Sequence, residues 1–361
     1  MAKRTVIPFG PQHPVLPEPV HLDLVIEDEK VVEAIPSIGF IHRGLEKLVE
    51  KKEYTEMVYV IERICGICSF GHGWGYCGAV EKALGVEIPD RANYLRTIWH
   101  ELSRVHSHLL WLGLLADAFG FDSLFMHCWK VRETVLDIFE ETTGGRVIFS
   151  VCKVGGVRKD ISNDDLMRIA ETLNNLKEEI KKLTDVFMED TSVKSRLVGV
   201  GTLSKEEAID LCTVGPMARA SGLTQDLRNE DAGVYKEVGF TPAVREEGDC
   251  YARCAVRIQE VFDSIDLIDK LVRQMPAGAI DVPVKGMMSG EATFRLEQPR
   301  GEGFYYAKGF DNPTKFLERM RVRTPTNMNI PAMTKMLQGC DLADVPMVVL
   351  TIDPCISCTE R

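Results

Sequence analysis

The chain has 361 residues, of which 45% are hydrophobic and 27% are charged, an ordinary composition for a globular protein. These values exclude a disordered chain, and the net charge of -11 excludes a general nucleic-acid binder, which needs a basic face. Pro8 and Pro11 interrupt the place where a secretory leader needs an apolar run, and Asp117 interrupts the longest apolar stretch. We therefore predict no signal peptide, no transmembrane segment and a reducing compartment in which the eleven cysteines stay free of disulfides.

The first predicted element is a β-hairpin at about residues 20–35. Leu22, Leu24 and Ile26 alternate with polar or smaller residues, and the sequence EDEK after them supplies a turn. The sequence VVEAI then forms the returning strand.

Four long helices are predicted in the middle of the chain. In the region 95–112, apolar residues recur at alternating steps of three and four, which indicates one long amphipathic helix between Pro89 and Gly120. The other helices are predicted at 124–141, 166–187 and 249–274. A small β element follows in the sequence VPVKGMMSGEATFRLEQ.

These elements predict a mainly α protein, a bundle of long helices with small peripheral β elements. The sequence shows neither repeats nor low-complexity linkers, which favours a single domain over residues 1–361. We expect the helical bundle at about 50–275 and a C-terminal segment with metal ligands at about 285–361.

Two Cys-x-x-Cys motifs stand almost a chain length apart. Cys65 and Cys68 lie in the sequence RICGICSFGH, and Cys355 and Cys358 lie in DPCISCTER. This spacing lets two sulfur atoms bind one metal at about 2.3 Å each. Four thiolates select zinc, an iron-sulfur cluster or a late transition metal such as nickel. Zinc ribbons separate their pairs by roughly 15–20 residues, so we predict a buried catalytic metal site, with a structural zinc site or metal-free core cysteines as the alternatives.

Polar residues flank both motifs. Arg63 and His72 bracket the first pair, and Asp353 precedes the second pair. Hydrogen bonds from such groups tune the charge and potential of a redox metal, whereas a structural zinc site does not need them. We expect Arg63 and His72 to contact the bound group, although His72 has core packing as its alternative. The other seven cysteines show no second pairing of this kind; Cys250 and Cys254, four residues apart on a predicted helix, are interpreted as core residues, with metal binding as the alternative.

The motifs R-x-C-G-x-C-x-x-x-H and D-P-C-x-x-C-x-x-R resemble those of the large, catalytic subunit of a nickel-iron hydrogenase. The resemblance covers nearly the whole chain and points to the energy-converting, membrane-associated group 4, either Ech-type or CO-induced. It includes the segments GPQHPVLPEPVHLDL, GFIHRGLEKL, SRVHSHLLWLG, EQPRGEGFYY and RVRTPTNMNIPAM. The related 49 kDa quinone-site subunit of complex I shares these segments but lacks the four cysteines. A quinone-module subunit without hydrogenase activity is therefore the alternative that the cysteines disfavour.

The resemblance implies a role for each cysteine of the two pairs. Cys65 and Cys355 are expected to be terminal nickel ligands, and Cys68 and Cys358 to bridge nickel to an iron that also carries carbon monoxide and cyanide. H2 would be split heterolytically, with the Cys355 thiolate taking the proton, since a metal-bound thiolate can act as a local base. The resemblance implies no iron-sulfur cluster in this chain.

The resemblance also implies roles for the surrounding residues. Glu18, in PEPVHL, is expected to carry the proton away, with a solvated turn residue as the alternative. Pro299 and Arg300, in EQPRGE, should lie over the iron, where Arg300 would hydrogen-bond its cyanide; a loop salt bridge is the alternative for Arg300. Asp353 would hold that arginine or orient the cysteine loop.

Glu46, in HRGLEKL, matches a residue that ligates magnesium in relatives, so we include it among the candidate metal ligands. Many hydrogenases have histidine after the second cysteine pair, whereas this sequence has Arg361, and arginine cannot bind a cation. A direct pair between Arg361 and Glu46 is therefore the alternative to a magnesium site.

The resemblance finally implies partners. We expect a small 4Fe-4S subunit, further iron-sulfur and complex I-like subunits, integral membrane subunits and, indirectly, ferredoxin, but no nucleic acid. The chain would lie peripherally on the cytoplasmic face of the membrane. The complex would couple reversible H2 formation from low-potential electrons to ion pumping.

Overall fold

The structure, a computed structural model, describes residues 4–230 and 232–361. The strands are β1 (Thr5–Phe9), β2 (His21–Glu27), β3 (Lys30–Ser37), β4 (Cys152–Lys153), β5 (Gly156–Val157), β6 (Glu291–Gln298), β7 (Gly301–Gly309) and β8 (Leu317–Arg323). The helices are α1 (Leu45–Val49), α2 (Val58–Ile61), α3 (Ser69–Leu84), α4 (Asp90–Ala118), α5 (Asp122–Thr143), α6 (Asn163–Glu189), α7 (Thr191–Leu197), α8 (Lys205–Asp210), α9 (Pro216–Arg219), α10 (Tyr235–Val238), α11 (Cys250–Arg273), α12 (Pro325–Leu337), α13 (Val345–Thr351) and α14 (Ile356–Glu360). Short 3-10 helices lie at Glu62–Ile64, Leu227–Asn229 and Leu342–Asp344. Long helices dominate, which confirms the predicted mainly α class.

The predicted hairpin is present as β2 and β3, and β1 extends it to a three-stranded antiparallel sheet. The apolar residues that alternate along β2 face the core, as their spacing predicts. Asp28 and Glu29 both have positive φ and form the two-residue turn that suits twisted strands. A second sheet consists of β6, β7 and β8 in antiparallel order, and β4 pairs with β5.

The four predicted long helices are present as α4, α5, α6 and α11, and their ends lie close to the predicted ones. α4 packs against α5 and α11, and α11 also packs against α6. α6 begins where the Ser162 side chain accepts a hydrogen bond from the amide of Asp165 at 3.1 Å. Among the helices in residues 4–230 and 232–361, none has the length and apolar content of a membrane span.

α4 is buried on nearly all sides, which differs from the predicted amphipathic helix. Its polar residues find partners inside the protein, so they need no contact with water. His100 Nε2 and Arg104 Nη2 each lie 2.7 Å from the carbonyl oxygen of Glu297. Burial lowers the pKa of His100 to about 4, so its ring is neutral at pH 7. These contacts hold the end of β6 against α4.

α3 was not predicted, because glycine occupies four of its sixteen positions and lowers helix propensity. The glycines instead let the hairpin of β6 and β7 approach the helix closely. A Cβ atom at Gly75 would lie 2.1 Å from the ring of Tyr305, and one at Gly78 would lie 2.6 Å from the ring of Phe294. The first cysteine pair directly precedes this helix, so the close packing brings the hairpin next to that pair.

Glu62 is a buried carboxyl group in the 3-10 turn before the first cysteine pair. The Ser150 hydroxyl donates to Oε2, whereas Oε1 has no hydrogen-bond partner among the described residues. Burial raises the pKa of Glu62 to about 7. The folded protein therefore disfavours the ionised carboxylate of Glu62. The resulting loss of stability is complete above pH 7, and it is absent below the pKa that this carboxyl group has in the unfolded chain.

The Glu62→Gln variant is expected to gain stability only at high pH. We expect the free energy of unfolding to rise by about 2 kcal/mol at pH 8 and to change little at pH 4.5. Urea denaturation of the metal-free chain at both pH values measures this difference. The exposed Glu56, replaced by Gln, is the control that should show no such pH dependence. An equal effect of Glu62→Gln at both pH values would contradict the assignment.

Candidate metal centre

The two cysteine pairs meet in the protein interior. The four Sγ atoms lie within 4.8 Å of one another, and each cysteine is only 1% to 3% exposed. Sγ of Cys65 lies 3.3 Å from Sγ of Cys355, and Sγ of Cys68 lies 3.3 Å from Sγ of Cys358. All four are free thiols. The first cysteines of the two motifs are thus neighbours, as are the second ones, while their division into terminal and bridging ligands stays a prediction.

Local backbone structure presents each pair to this cluster. Cys65 follows a 3-10 turn, and its Sγ accepts hydrogen bonds from the amides of Ile67 and Cys68 at 3.3 and 3.4 Å. Cys355 precedes α14, and its amide donates to Oγ1 of Thr326 at 3.2 Å. These backbone contacts fix the position of each pair at the cluster.

Arg43 ties the two cysteine segments together, and the sequence analysis did not predict this role. Its guanidinium donates to the carbonyl oxygens of Arg63 at 2.8 Å, Ile64 at 2.7 Å and Ser357 at 3.2 Å. Arg43 lies in the segment GFIHRGLEKL, and its place there was the only available signal. The arginine fixes the spacing between the loop before Cys65 and the loop after Cys355.

Four buried thiols at this separation need a cation when they ionise. Hydrogen bonds from the neighbouring thiols lower the pKa of Cys68, whereas burial raises the pKa of Cys358. The cluster therefore cannot ionise completely unless a positive charge compensates it, and a divalent metal supplies that charge. A buried set of four soft sulfur donors fits nickel and other thiophilic metals.

Pro299 and Arg300 form the turn between β6 and β7, beside the cluster. Arg300 is buried and holds Asp353 through two contacts, Nη2 to Oδ1 at 2.7 Å and Nε to the carbonyl oxygen at 3.0 Å. Its Nη1 donates to Oγ of Ser107 at 3.2 Å. Asp353 has a left-handed φ of 56°, a conformation that aspartate tolerates better than most residues. The expected contact between Arg300 and Asp353 is present, and Ser107 is a third member that was not predicted.

A cavity of about 330 Å³ opens beside the cluster. Its polar lining includes Glu18, Arg300 and Asp353, and the sulfur residues on it are Cys65 and Cys355. Leucine and tryptophan side chains of α4 line the apolar part. A ligand on a metal bound at the cluster would therefore have room in this cavity, next to the buried guanidinium of Arg300.

Glu18 is held against the second cysteine pair. Its carboxylate accepts hydrogen bonds from the amide of Ile356 and from both the amide (3.1 Å) and the hydroxyl of Ser357. The residue is half-buried, so the alternative of a solvated turn residue does not describe it. Glu18 anchors the segment between Cys355 and Cys358, and its role in carrying protons stays a prediction.

His72 and Arg63 differ in their positions. His72 is fully buried, and its Nε2 lies 3.3 Å from Sγ of Cys358 and 3.7 Å from Sγ of Cys68. Arg63 is exposed, and its Nη1 donates to the carbonyl oxygen of Tyr59 at 2.6 Å. The 3-10 turn before Cys65 directs the Arg63 side chain to the surface, so its contacts do not support the predicted role in cofactor binding.

The contacts of Glu46 argue against its predicted role as a magnesium ligand. Oε1 lies 3.1 Å from Nε of Arg361 and accepts a hydrogen bond from the amide of Val322 at 2.8 Å. Oε2 lies 3.1 Å from Nη1 of Arg321. Two guanidinium groups therefore take the place that a cation would need, and the alternative pair between Arg361 and Glu46 is the one observed.

Stability is accordingly expected to be independent of magnesium. We expect added magnesium to leave the thermal midpoint of the chain unchanged, and Arg361→Ala to lower the free energy of unfolding by about 1 kcal/mol. Arg4→Ala removes an exposed pair with Glu27 and is the control with no expected effect. Differential scanning calorimetry with and without added magnesium checks this, and a midpoint that rises with magnesium would contradict it.

Sequence models of two families match the chain. The respiratory-chain NADH dehydrogenase 49 Kd subunit family matches residues 118–289 and 283–361. The nickel-dependent hydrogenase family matches residues 43–117, which contain the first cysteine pair.

Similar proteins extend over the whole chain. The membrane-bound hydrogenase subunit alpha of Pyrococcus furiosus is 38% identical, covering 98% of this chain and 87% of that protein. The carbon monoxide-induced hydrogenase of Rhodospirillum rubrum is 39% identical, with coverage of 98% and 99%. A subunit of the F(420)H(2) dehydrogenase of Methanosarcina mazei is 36% identical, with coverage of 99% and 97%.

A solved structure shows the same fold. A chain of the membrane-bound sulfane sulfur reductase, an archaeal respiratory membrane complex, superposes with a TM-score of 0.93 at 30% identity, over 99% of this chain and 98% of that chain. The relatives are hydrogenases, dehydrogenases and a reductase by name, which supports an oxidoreductase role but leaves the reaction open. The chain belongs to the family that joins the large subunits of membrane-bound, energy-converting nickel-iron hydrogenases to the 49 kDa subunit of respiratory-chain NADH dehydrogenase.

Proposed function

We propose that the chain is the catalytic subunit of an energy-converting nickel-iron hydrogenase, which catalyses reversible heterolytic cleavage of H2. The observation that carries this proposal is the meeting of four buried thiols within 4.8 Å. The family contains both hydrogenases and quinone-linked dehydrogenases, so membership alone does not choose between them. A quinone-module subunit has no use for four converging thiols, whereas a nickel-iron centre needs all of them.

The four cysteines would hold the metals in the division described above, with Cys65 and Cys355 on nickel and Cys68 and Cys358 between nickel and iron. The centre, with carbon monoxide and cyanide on the iron, would supply the electrophile that polarises H2. The base of this proposal is the Cys355 thiolate, since a metal-bound thiolate can act as a local base. Glu18 lines the same cavity as Cys355 and is the carboxylate to which that proton would pass.

Arg300 would stabilise negative charge in the cavity. Its guanidinium is fixed by contacts to Asp353 and Ser107, so it is preorganised and does not have to reorient. Cyanide is an anionic ligand that accepts hydrogen bonds, and a buried cation on the cavity wall is the group that would bind it. Pro299, buried next to Arg300, limits the movement of this turn.

A structural zinc protein is the second candidate, because four cysteine thiolates are also a common zinc site. A structural zinc site is closed and needs neither an adjacent cavity nor a buried arginine on the wall of that cavity. Both features are present here, and they favour a site that binds an exogenous ligand.

The proposed partners follow from the need to move electrons. Within residues 4–230 and 232–361 the four cysteines are the single group with the ligands for a metal. Electrons would therefore leave through a small 4Fe-4S subunit, and further iron-sulfur subunits would connect it to ferredoxin. We place the complex on the cytoplasmic face of the membrane, with integral membrane subunits that pump ions, because relatives belong to membrane-bound complexes.

Exchange between D2 and solvent protons tests the proposal without an electron partner. The complex, purified without oxygen, is expected to form HD, because heterolytic cleavage alone suffices for exchange. The same preparation is assayed for quinone reduction as the competing activity. Quinone reduction without any exchange would overturn the hydrogenase proposal and favour the complex I-like alternative.

A further inference from the structure

Two residues of the hairpin of β6 and β7 stand behind His72, on the side away from the cysteines. The hydroxyl of Tyr305 lies 2.9 Å from Nδ1 of His72. Nε2 of Gln298 donates to that same hydroxyl oxygen. Tyr305 and Gln298 are 0% and 1% exposed, so water does not compete for these hydrogen bonds. A continuous line of polar contacts therefore runs from Gln298 through Tyr305 and His72 to Sγ of Cys358.

The direction of donation along these hydrogen bonds can be assigned, because each side chain has a fixed number of hydrogens to donate. The amide nitrogen of Gln298 can only donate, so the Tyr305 oxygen accepts from it and keeps its own hydrogen for another partner. That hydrogen is then available to Nδ1 of His72, 2.9 Å away, and an Nδ1 atom that accepts it carries a lone pair. A neutral imidazole with a lone pair on Nδ1 carries its hydrogen on Nε2, and Nε2 is the atom that faces the sulfur of Cys358.

The sequence makes room for this arrangement at two glycines of α3. A Cβ atom at Gly75 would overlap the Tyr305 ring at 2.1 Å, and one at Gly71 would come within 3.3 Å of Nε2 of Gln298. The two glycines flank His72 one helical turn apart, so the helix face that carries the histidine is open to the hairpin. Packing between α3 and the hairpin therefore sets the position of the Tyr305 hydroxyl.

We infer that Tyr305 and Gln298 are positioning residues that hold His72 in the Nε2–H tautomer, so that the ring donates a hydrogen bond to the thiolate of Cys358. The inference deepens the proposed function, because it gives the bridging thiolate a built-in donor. A hydrogen bond to a metal-bound sulfur reduces the electron density that the sulfur gives to the metal. Removing it should make the metals more electron-rich and the centre harder to reduce.

The test combines two measurements on three variants. Tyr305→Phe removes the hydroxyl but keeps the ring in its groove, and Gln298→Met removes the donor to that hydroxyl. Tyr306→Phe is the matched control, because the Tyr306 hydroxyl contacts Glu291 on the exposed side of the same strand. Nitrogen-15 NMR of the histidine-labelled full-length chain, loaded with zinc so that the four cysteines are thiolates, reports the tautomer, and the His72 signal is assigned by its loss in His72→Asn. Infrared spectra of the intact complex report the electron density on the iron.

We expect the Nε2–H tautomer in the wild-type chain and in Tyr306→Phe, and loss of that preference in Tyr305→Phe. The carbon monoxide band of the Tyr305→Phe complex should shift to lower frequency with nickel retained, and Gln298→Met should shift it less in the same direction. The inference is overturned if wild-type His72 carries its hydrogen on Nδ1, or if Tyr305→Phe and Tyr306→Phe give the same tautomer and band.

The two proposals fail separately. A wild-type complex without carbon monoxide and cyanide bands would end the hydrogenase proposal, while the NMR result on the zinc-loaded chain would still decide the role of Tyr305. If Tyr305→Phe does not fold, Gln298→Met decides by the same two measurements, since it leaves the aromatic ring in place.

Discussion

Replacing Cys355 by serine is expected to lower D2 exchange by at least about 1,000-fold, because it removes both a ligand and the proposed base. Nickel should also be lost from the purified complex, since serine is a hard ligand that binds nickel poorly. Sγ of Cys355 lies 3.3 Å from Sγ of Cys65, and the pair would no longer offer two soft donors to one ion. Nickel analysis and the exchange assay on the same preparation measure both effects.

Cys128→Ala is the matched control for this experiment. Cys128 is a fully buried cysteine of α5 that lies outside the metal-binding cluster, so its loss should affect packing alone. We expect the control complex to keep nickel and exchange activity. A Cys355→Ser complex with full nickel and unchanged exchange would show that this thiol is neither ligand nor base.

Replacing Arg300 by lysine is expected to lower D2 exchange by about 100-fold or more, which is the usual effect of losing one preorganised donor. Lysine cannot reproduce the planar contacts to Oδ1 and the carbonyl oxygen of Asp353. Nickel should be retained, because the four thiols remain. The cyanide bands in the infrared spectrum should move, since their hydrogen-bond donor has changed.

Arg295→Lys tests whether this effect is specific to the turn. Arg295 lies on β6 of the same hairpin and pairs with Glu302 in a partly exposed position. Its substitution should leave exchange and the infrared bands unchanged. If Arg300→Lys lowered stability but left exchange and the bands intact, Arg300 would be an ordinary loop salt bridge, the alternative considered for it from the sequence.

The long helices could be predicted because three of them place apolar residues on one face at helical spacing. α6 shows this most clearly, with a wet face of charged residues and a capping serine at Ser162. α3 could not be predicted, because its glycines serve contacts with a hairpin more than two hundred residues away in sequence. The position of α4 was predicted, but its burial on nearly all sides was not. The sequence does not show that the polar residues of this helix have hydrogen-bond partners in the core.

The candidate site was predicted to the extent that its residues belong to sequence motifs. The spacing of each Cys-x-x-Cys motif indicates two ligands, but only the fold brings Cys68 and Cys358 together across 290 positions. Arg43 and Tyr305 lie in segments that carry the family resemblance, but their roles depend on tertiary contacts that no local pattern shows. The reverse error occurs at Arg63, which lies two residues from Cys65 in sequence yet points to the surface.

Metal analysis with an infrared spectrum of the complex, purified without oxygen, tests the central claim most directly. The proposed function predicts nickel and iron in equal amounts, together with bands from metal-bound carbon monoxide and cyanide. Zinc in the absence of such bands would contradict it. The two cysteine pairs would then form a structural zinc site that joins the first and last parts of the chain.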